Sequence, residues 1–391
     1  MNSGQTVFAQ LMFFIPQREF NQCVDRYDGN YHTHKFTCYD QFLVMCFAQY
    51  ARRNSLRDIE SSLVAVSHKL YHSGISHAVA RNTLAKANEN RCWRIYSDFA
   101  QVLIKKVRPL YQDDSSFSLD IDNMVYAFDS TTISLCFKLC PWAKFRTTKS
   151  GIKIHTLLEL KSNLPIFIHL TNASVHDVKI LEKLYIEPAA IYVMDKGYID
   201  FFRLYHLIHT KRAFFVTRAK ENMDYTVIKS VNVDKQPGVV SDEIIKLTNY
   251  QTFKTYPENL RLVTYKDEAT DKVYKFLSNQ MEFDSLTIAQ LYKERWNIEL
   301  FFKWMKQHLH IKSFYGTSEN AVYTQIWISV CAFLILALAK KKLEIDVSLY
   351  TFAQTLGLFL FERTSIKDLF NKIKTPKFFD QTPNLFSFSE I

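Results

Sequence analysis

The chain has 391 residues, enough for two or more domains, and its 48% hydrophobic content argues against a mainly disordered protein. Forty-nine Lys and Arg against 39 Asp and Glu leave a net charge of +10, which favours a polyanionic partner. The seven Cys (23, 38, 46, 92, 136, 140 and 331) form no CxxC pair, which counts against structural zinc and a disulfide framework. Reduced thiols in a cytoplasmic protein are expected, and no secretory leader pattern is seen.

Up to about residue 115 the sequence reads as helical, with apolar positions at helical spacing in YDQFLVMCFAQYARRNSLRDIESSLVAV and RIYSDFAQVLIKKVRPLY. Between them, SGISHAVARNTLAKANENR places Gly74 and Ser76 at a turn and Arg81, Asn82, Thr83 and Lys86 on a polar helix face. That outline fits a DNA-contacting helix-turn-helix and, equally, a solvated surface helix. The acidic, Ser-rich YQDDSSFSLDIDN, residues 111–123, breaks the pattern and marks a domain boundary.

Runs dense in β-branched and aromatic residues follow: MVYAFDSTTISLCF, GIKIHTLLEL, LPIFIHLTNA, AIYVMDKG and RAFFVTRAK. Helical patterns intervene at HDVKILEKLY and DFFRLYHLIHT, so a mixed α/β sheet is expected. Between Asp129 and Glu159 stand five cations, Lys138, Lys144, Arg146, Lys149 and Lys153, and no acid. With Trp142 and Phe145 among them, this segment could follow a DNA backbone or form an exposed basic hairpin.

Residues 221–284 change to the strand candidates DYTVIKS, DEIIKLT, LRLVTYKD and KVYKFLSN, a β-rich insertion. In YKERWNIELFFKWMK, residues 292–306, a helix brings Tyr292, Arg295, Glu299, Lys303 and Lys306 into one stripe, with Ile298, Phe301, Phe302 and Met305 opposite. Such a stripe is either a solvated face, its i,i+4 pairs worth about 0.2–0.5 kcal/mol each, or the lining of a cleft. After Glu299, Lys303, Lys306, His308, His310 and Lys312 precede the next acid, Glu319. The most apolar run, IWISVCAFLILALA at 326–339, falls short of the about 20 residues of a membrane span and is expected as a buried core helix.

Asp129 in VYAFDSTT and Asp195 in IYVMDKGY sit in apolar strands, where a carboxylate is costly unless paired, hydrogen-bonded or metal-bound. Singly, each could be a strand-end turn acceptor, a role that Gly197 makes tenable for Asp195.

AFDSTT, VMDKGY and the spacing Y-x2-R-x3-E-x6-K of Tyr292, Arg295, Glu299 and Lys306 resemble the DDE transposases of bacterial insertion sequences, in the cut-and-paste branch named for that Tyr-Arg-Glu-Lys signature. The resemblance spans about residues 124–310. It implies a ribonuclease H-like catalytic domain, at 120–312, carrying the β insertion. A helical, DNA-binding N-terminal domain (1–115) and a helical C-terminal region (313–391) would flank it.

The resemblance also implies that Asp129, Asp195 and Glu299 hold two Mg²⁺ ions, with Mn²⁺ as a substitute, while Tyr292, Arg295 and Lys306 grip phosphates. Glu294 competes for the acidic role but projects about 140° from Glu299. His176 and Asp177 match a His-Asp pair of the family, though a helix N-terminus capped by Ser174 explains them nearly as well. In that branch a Trp of the insertion stacks on a flipped base during hairpin formation. The Trp residues here (93, 142, 296, 304 and 327) all lie outside it, which leaves Tyr274 or Phe276 for the role, or a route without a hairpin.

The expected partners are double-stranded DNA, as terminal inverted repeats and target, and a second copy of the chain in the synaptic complex. No membrane is expected; the protein would be cytoplasmic in a bacterium and associated with the nucleoid when bound. The alternative is an inactive relic or repressor of the same fold.

Overall fold

The computed structural model describes residues 5–33, 35–112, 117, 119–233, 237–308, 311 and 314–371, the side chain of His308 excepted. His310 and Lys312, part of the acidic 111–123 segment and residues 372–391 lie outside the described residues. The chain forms two compact units, one from the described residues of 1–112, 133–152 and 302–377, the other from those of 113–132 and 153–301.

The first unit is helical. Its centre is the helix Glu319–Lys342, whose side chains from Ala321 to Ala339 are all buried. Ser318 caps its start by accepting from the Ala321 N–H, Glu319 lies in the first turn and Lys340, Lys341 and Lys342 in the last, all favourable to the helix dipole. At 24 residues the helix is long and apolar enough to cross a membrane, so the length argument drawn from the apolar run alone fails. Its burial in protein is what identifies it as core. The helices Cys38–Tyr50 and Arg94–Val107 pack on it: the Tyr50 hydroxyl donates to the Ala332 carbonyl at 2.9 Å and the Cys331 thiol to the Tyr96 carbonyl at 3.3 Å. All seven Cys are free thiols.

The second unit is built on a sheet whose strands are β1 (Val125–Leu135), β3 (Lys149–Glu159), β4 (Leu164–Asn172), β5 (Ile191–Met194), β6 (Phe214–Arg218), β7 (Tyr225–Val231), β8 (Val239–Leu247), β9 (Leu260–Lys266) and β10 (Val273–Ser278). β2 (Lys144–Arg146) pairs with the start of β3 in the first unit. The order runs β4-β3-β1-β5-β6-β10-β9-β8-β7, with β1, β5 and β6 parallel. This ribonuclease H-like core is a mixed α/β sheet, as expected. The strands of 221–284 continue the sheet rather than forming a separate layer: β10 pairs antiparallel with β6, and β9, β8 and β7 follow in turn. Alternation puts Tyr126, Phe128, Tyr192 and Met194 on one face, packed with Phe215, Leu262 and Leu277.

Candidate active site

The register of the parallel strands builds the site. Phe128 pairs with Met194, and Met194 with Thr217. Asp129, Asp195 and Arg218 follow as the next residues on three adjacent strands, spaced by about 4.8 Å per strand. Arg218 pairs in turn with Phe276 of β10. Because side chains alternate, Asp129 and Asp195 face away from the Phe128–Met194 core, just where the parallel pairing of β1 with β5 ends and β1 runs on to Leu135. Asp195 is also a turn acceptor: its Oδ2 takes the Gly197 N–H at 3.3 Å. The two roles proposed for it from sequence are therefore compatible, because its other oxygen lies 3.5 Å from the Tyr292 hydroxyl.

The predicted single helix is two. Ser285–Glu294 ends at Arg295, where the Arg295 N–H bonds to Tyr292 O and the Ile298 N–H to Arg295 O, and Trp296–His308 follows. These i→i−3 bonds tighten the chain locally. The Arg295 guanidinium reaches Asp129 Oδ2 at 3.3 Å and Glu299 Oε1 at 2.5 Å, joining the first carboxylate to the third. Its carbon stands 5.5 Å from the Tyr292 ring centroid. Glu294 instead accepts from Asn297.

Burial pushes the Asp129 carboxyl up to about 6; Arg295 and the Ser130 N–H oppose this, while Glu299 and Asp195 add to it. Burial likewise lifts the Tyr292 hydroxyl to about 12, so it stays a donor at neutral pH. The carboxylate trio offers the hard oxygen donors that Mg²⁺ takes, and their mutual repulsion is what a cation relieves. Among the described residues no three acidic, His or Cys side chains converge on one point, and the Arg295 guanidinium bridges two of the acids.

Beside Asp129 lies a network the sequence did not disclose. Ser130 Oγ donates to Asp177 Oδ1 at 2.6 Å, and Lys153 Nζ bonds Asp177 Oδ2 and Val175 O, each at 2.9 Å. Burial pushes His155 down to about 4, and this neutral ring faces Asp177 at 3.6 Å. Lys153 is thus an internal ion-pair partner, unlike the exposed basic residues of its segment. Ser174 caps nothing; His176 precedes the 3-10 turn Asp177–Lys183 without a side-chain cap.

Burial raises the Asp177 carboxyl, but the bonds from Ser130 and Lys153 and the Lys153 charge outweigh it and hold it below its ordinary value. A depressed acid stabilises the fold above its unfolded value, near pH 4, and loses that contribution as pH falls through its folded value. Asp177→Asn is therefore expected to cost about 1–3 kcal/mol at pH 7 by stranding Lys153, with the deficit shrinking below pH 4. Urea unfolding of parent and variant at both pH values checks it; an equal deficit at both would refute the ion-pair account.

The other expected residues fall where each unit puts them. Arg81, Asn82, Thr83 and Lys86 are exposed on the helix Arg81–Asn90, which buries Leu84, Ala87 and Asn88; Gly74 before it takes the left-handed φ of 77° that the turn requires. Arg146 and Lys149 are exposed and paired across the β2–β3 hairpin. Lys306 is half-exposed on Trp296–His308, roughly two turns beyond Glu299. Tyr274 and Phe276, buried and stacked at 6.2 Å, line a cavity of about 170 Å³ with Asp195, Arg218, Tyr292 and Trp296.

Comparison with known proteins gives this geometry a family. Residues 121–335 match the Transposase DDE domain, and residues 3–76 a domain of unknown function (DUF4372). A Sinorhizobium fredii protein named as a transposase is 36% identical over 247 residues, 62% of this chain and 68% of that one. A Geobacillus stearothermophilus protein named as the transposase for insertion sequence element IS5377 is 28% identical over 61% of this chain and 63% of its own. The piggyBac transposase synaptic complex with hairpin DNA aligns at TM-score 0.43 and 13% identity over 95% of this chain and 81% of that one, too distant to speak for the site. With a DDE-domain match over more than half its length and a relative 36% identical, this chain belongs to the DDE transposase family.

Proposed function

We propose that the protein is an insertion-sequence transposase that binds terminal inverted repeats, cleaves the DNA at the element's ends and joins the ends to a target. The observation that carries this reading is the register that sets Asp129 and Asp195 side by side, with Glu299 tied to Asp129 through Arg295.

Asp129, Asp195 and Glu299 would hold two Mg²⁺ ions, with Mn²⁺ as a substitute. When bound, such ions lower the cost of charge on the attacking and leaving oxygens of the phosphodiester. The protein supplies the rest. Arg295 keeps Asp129 and Glu299 together before DNA arrives and offers a fork of donors to a phosphate oxygen. Tyr292, protonated and aimed at Asp195, holds a second oxygen or the carboxylate itself in place. Lys306 adds a point charge along the strand.

The polar face at Arg81 and Lys86 would contact DNA outside the cleavage site, and the hairpin bearing Arg146 and Lys149 would follow its backbone. Tyr274 or Phe276 would stack on a base if a hairpin forms. Two ends held together imply a dimer on DNA.

The test is divalent-metal-dependent cleavage of a labelled duplex carrying the flanking inverted repeat, with Glu299→Gln as comparison. Cutting at the repeat boundary by the parent, lost in the variant and on adding EDTA while binding persists, is the expected result. A parent that binds the repeat but never cuts it would make the protein a repressor or relic.

A further inference from the structure

A second cavity, of about 270 Å³, meets the first at Arg218 and Tyr274, and its lining is basic: Lys196, Arg218, Lys220 and Lys275 against one acid, Glu221. Its position follows from the strands. Lys196 is the residue after Asp195, and Arg218 ends β6 beside it. Val273 and Lys275 alternate with Tyr274 and Phe276 on β10, so the two cavities reach the same strand ends from opposite faces of the sheet.

Two of the four cations are held in place. Arg218, half-buried, lies over the Tyr274 ring at 5.3 Å. Lys220 Nζ is anchored to the Ile199 carbonyl at 3.0 Å, in the loop that follows Asp195. Lys196 and Lys275 are exposed, and no ion pair claims them or Arg218 among the described residues. Four like charges converging on one cleft repel one another and are stabilised by a bound polyanion. Four cations lining one cavity, starting from the residue after Asp195, suit the successive phosphates of one strand better than a single compact anion.

We propose that Lys196, Arg218, Lys220 and Lys275 form a backbone track for one DNA strand, carrying its phosphates away from the bond positioned at Asp195 and around the end of the sheet. This rests on the transposase reading above and adds a DNA contact outside the Tyr-Arg-Glu-Lys set. The track contacts phosphates alone, so its contribution is independent of sequence.

The test is equilibrium binding of the full chain to a flanking-repeat duplex with a single-stranded extension, without divalent metal, across a salt series. The proteins compared are the parent, Lys196→Ala/Lys275→Ala and Lys275→Glu. Both positions are exposed, so folding is expected to survive, and unchanged thermal midpoints establish that it has.

The double variant should lower the slope of log K against log salt by about 1.4–1.8, two phosphate contacts at roughly 0.7–0.9 each, with the loss equal on repeat and unrelated DNA. Lys275→Glu should bind more weakly still than the single charge removal implies. Variant slopes equal to the parent's, with a parent that cuts its repeat with Mg²⁺, would overturn the track and leave the transposase reading intact. A parent that binds no DNA would overturn both. Displacement of the DNA by millimolar inorganic phosphate at constant ionic strength would make the cleft a small-anion pocket and also overturn the proposal.

Discussion

Asp129→Asn is expected to abolish strand cleavage while leaving binding of the repeat nearly unchanged. The loss should exceed the about 10- to 100-fold typical of removing a mere outer-shell partner, because the substituted oxygen is itself a proposed ligand. Asn keeps the size of the side chain and can still accept the Ser130 N–H that reaches Asp129 Oδ1 at 2.7 Å, so β1 need not move. It removes a charge that burial already disfavours: the Asp129 carboxyl is pushed up to about 6.

The sign of that shift gives a second readout on the same protein. A carboxyl whose folded value lies above its unfolded value of about 3.9 binds its proton more tightly in the native state. Parent stability should then fall as pH rises from about 4 to 6 and stay lower above that, by on the order of 2–3 kcal/mol at most. The Asn variant should lack that slope. Gel-based cleavage with Mg²⁺, and separately urea midpoints at pH 4, 6 and 8 in EDTA, check both halves. A variant that still cuts would remove Asp129 from the chemistry, and one as pH-sensitive as the parent would remove the electrostatic account.

Asp129 and Asp195 were legible because apolar strands seldom tolerate a lone acid, and the strands of 221–284 because β-branched residues announce them. Where those strands pair was not: that β10 joins β6 depends on register across segments distant in sequence. The break at Arg295 was also hidden, since neither Arg295 nor Trp296 is a helix breaker and the tightening serves contacts made elsewhere. Lys153 was grouped with the other cations of its segment because its partner, Asp177, lies beyond β4 in sequence. The stripe Tyr292–Arg295–Glu299 survives the break, since both halves are helical and the residues stay three and four apart. Its reading as a cleft lining needed Asp129 and Asp195 in space.

The largest effect on stability is expected away from the acids. Asp242 on β8 and Arg261 on β9 form a buried ion pair, their side chains 0% and 5% exposed. Arg261 Nη2 meets Asp242 Oδ2 at 2.6 Å and its Nη1 donates to the Phe283 carbonyl at 2.6 Å, while Ser285 Oγ donates to the same Asp242 oxygen at 2.6 Å. The pair thereby fastens the first residue of Ser285–Glu294, the helix that carries Tyr292, to the sheet. Arg261→Ala should destabilise the second unit by about 3–5 kcal/mol, because Asp242 is left charged and buried. On the scale of about 2–4 °C per kcal/mol for a unit of this size, its melting midpoint should fall by roughly 6–20 °C.

Asp242→Leu with Arg261→Met removes both charges and should recover most of that loss. The double variant then separates two roles. If cleavage returns with stability, the pair is an ordinary buried ion pair whose cost lies in breaking it singly. If the melting point returns and cleavage does not, the bonds from Arg261 to Phe283 and from Ser285 to Asp242 are what set the start of the helix. Tyr292 would then miss Asp195 although the fold is intact, which is the outcome the geometry favours, because an apolar pair can fill the space but cannot hold that carbonyl or hydroxyl.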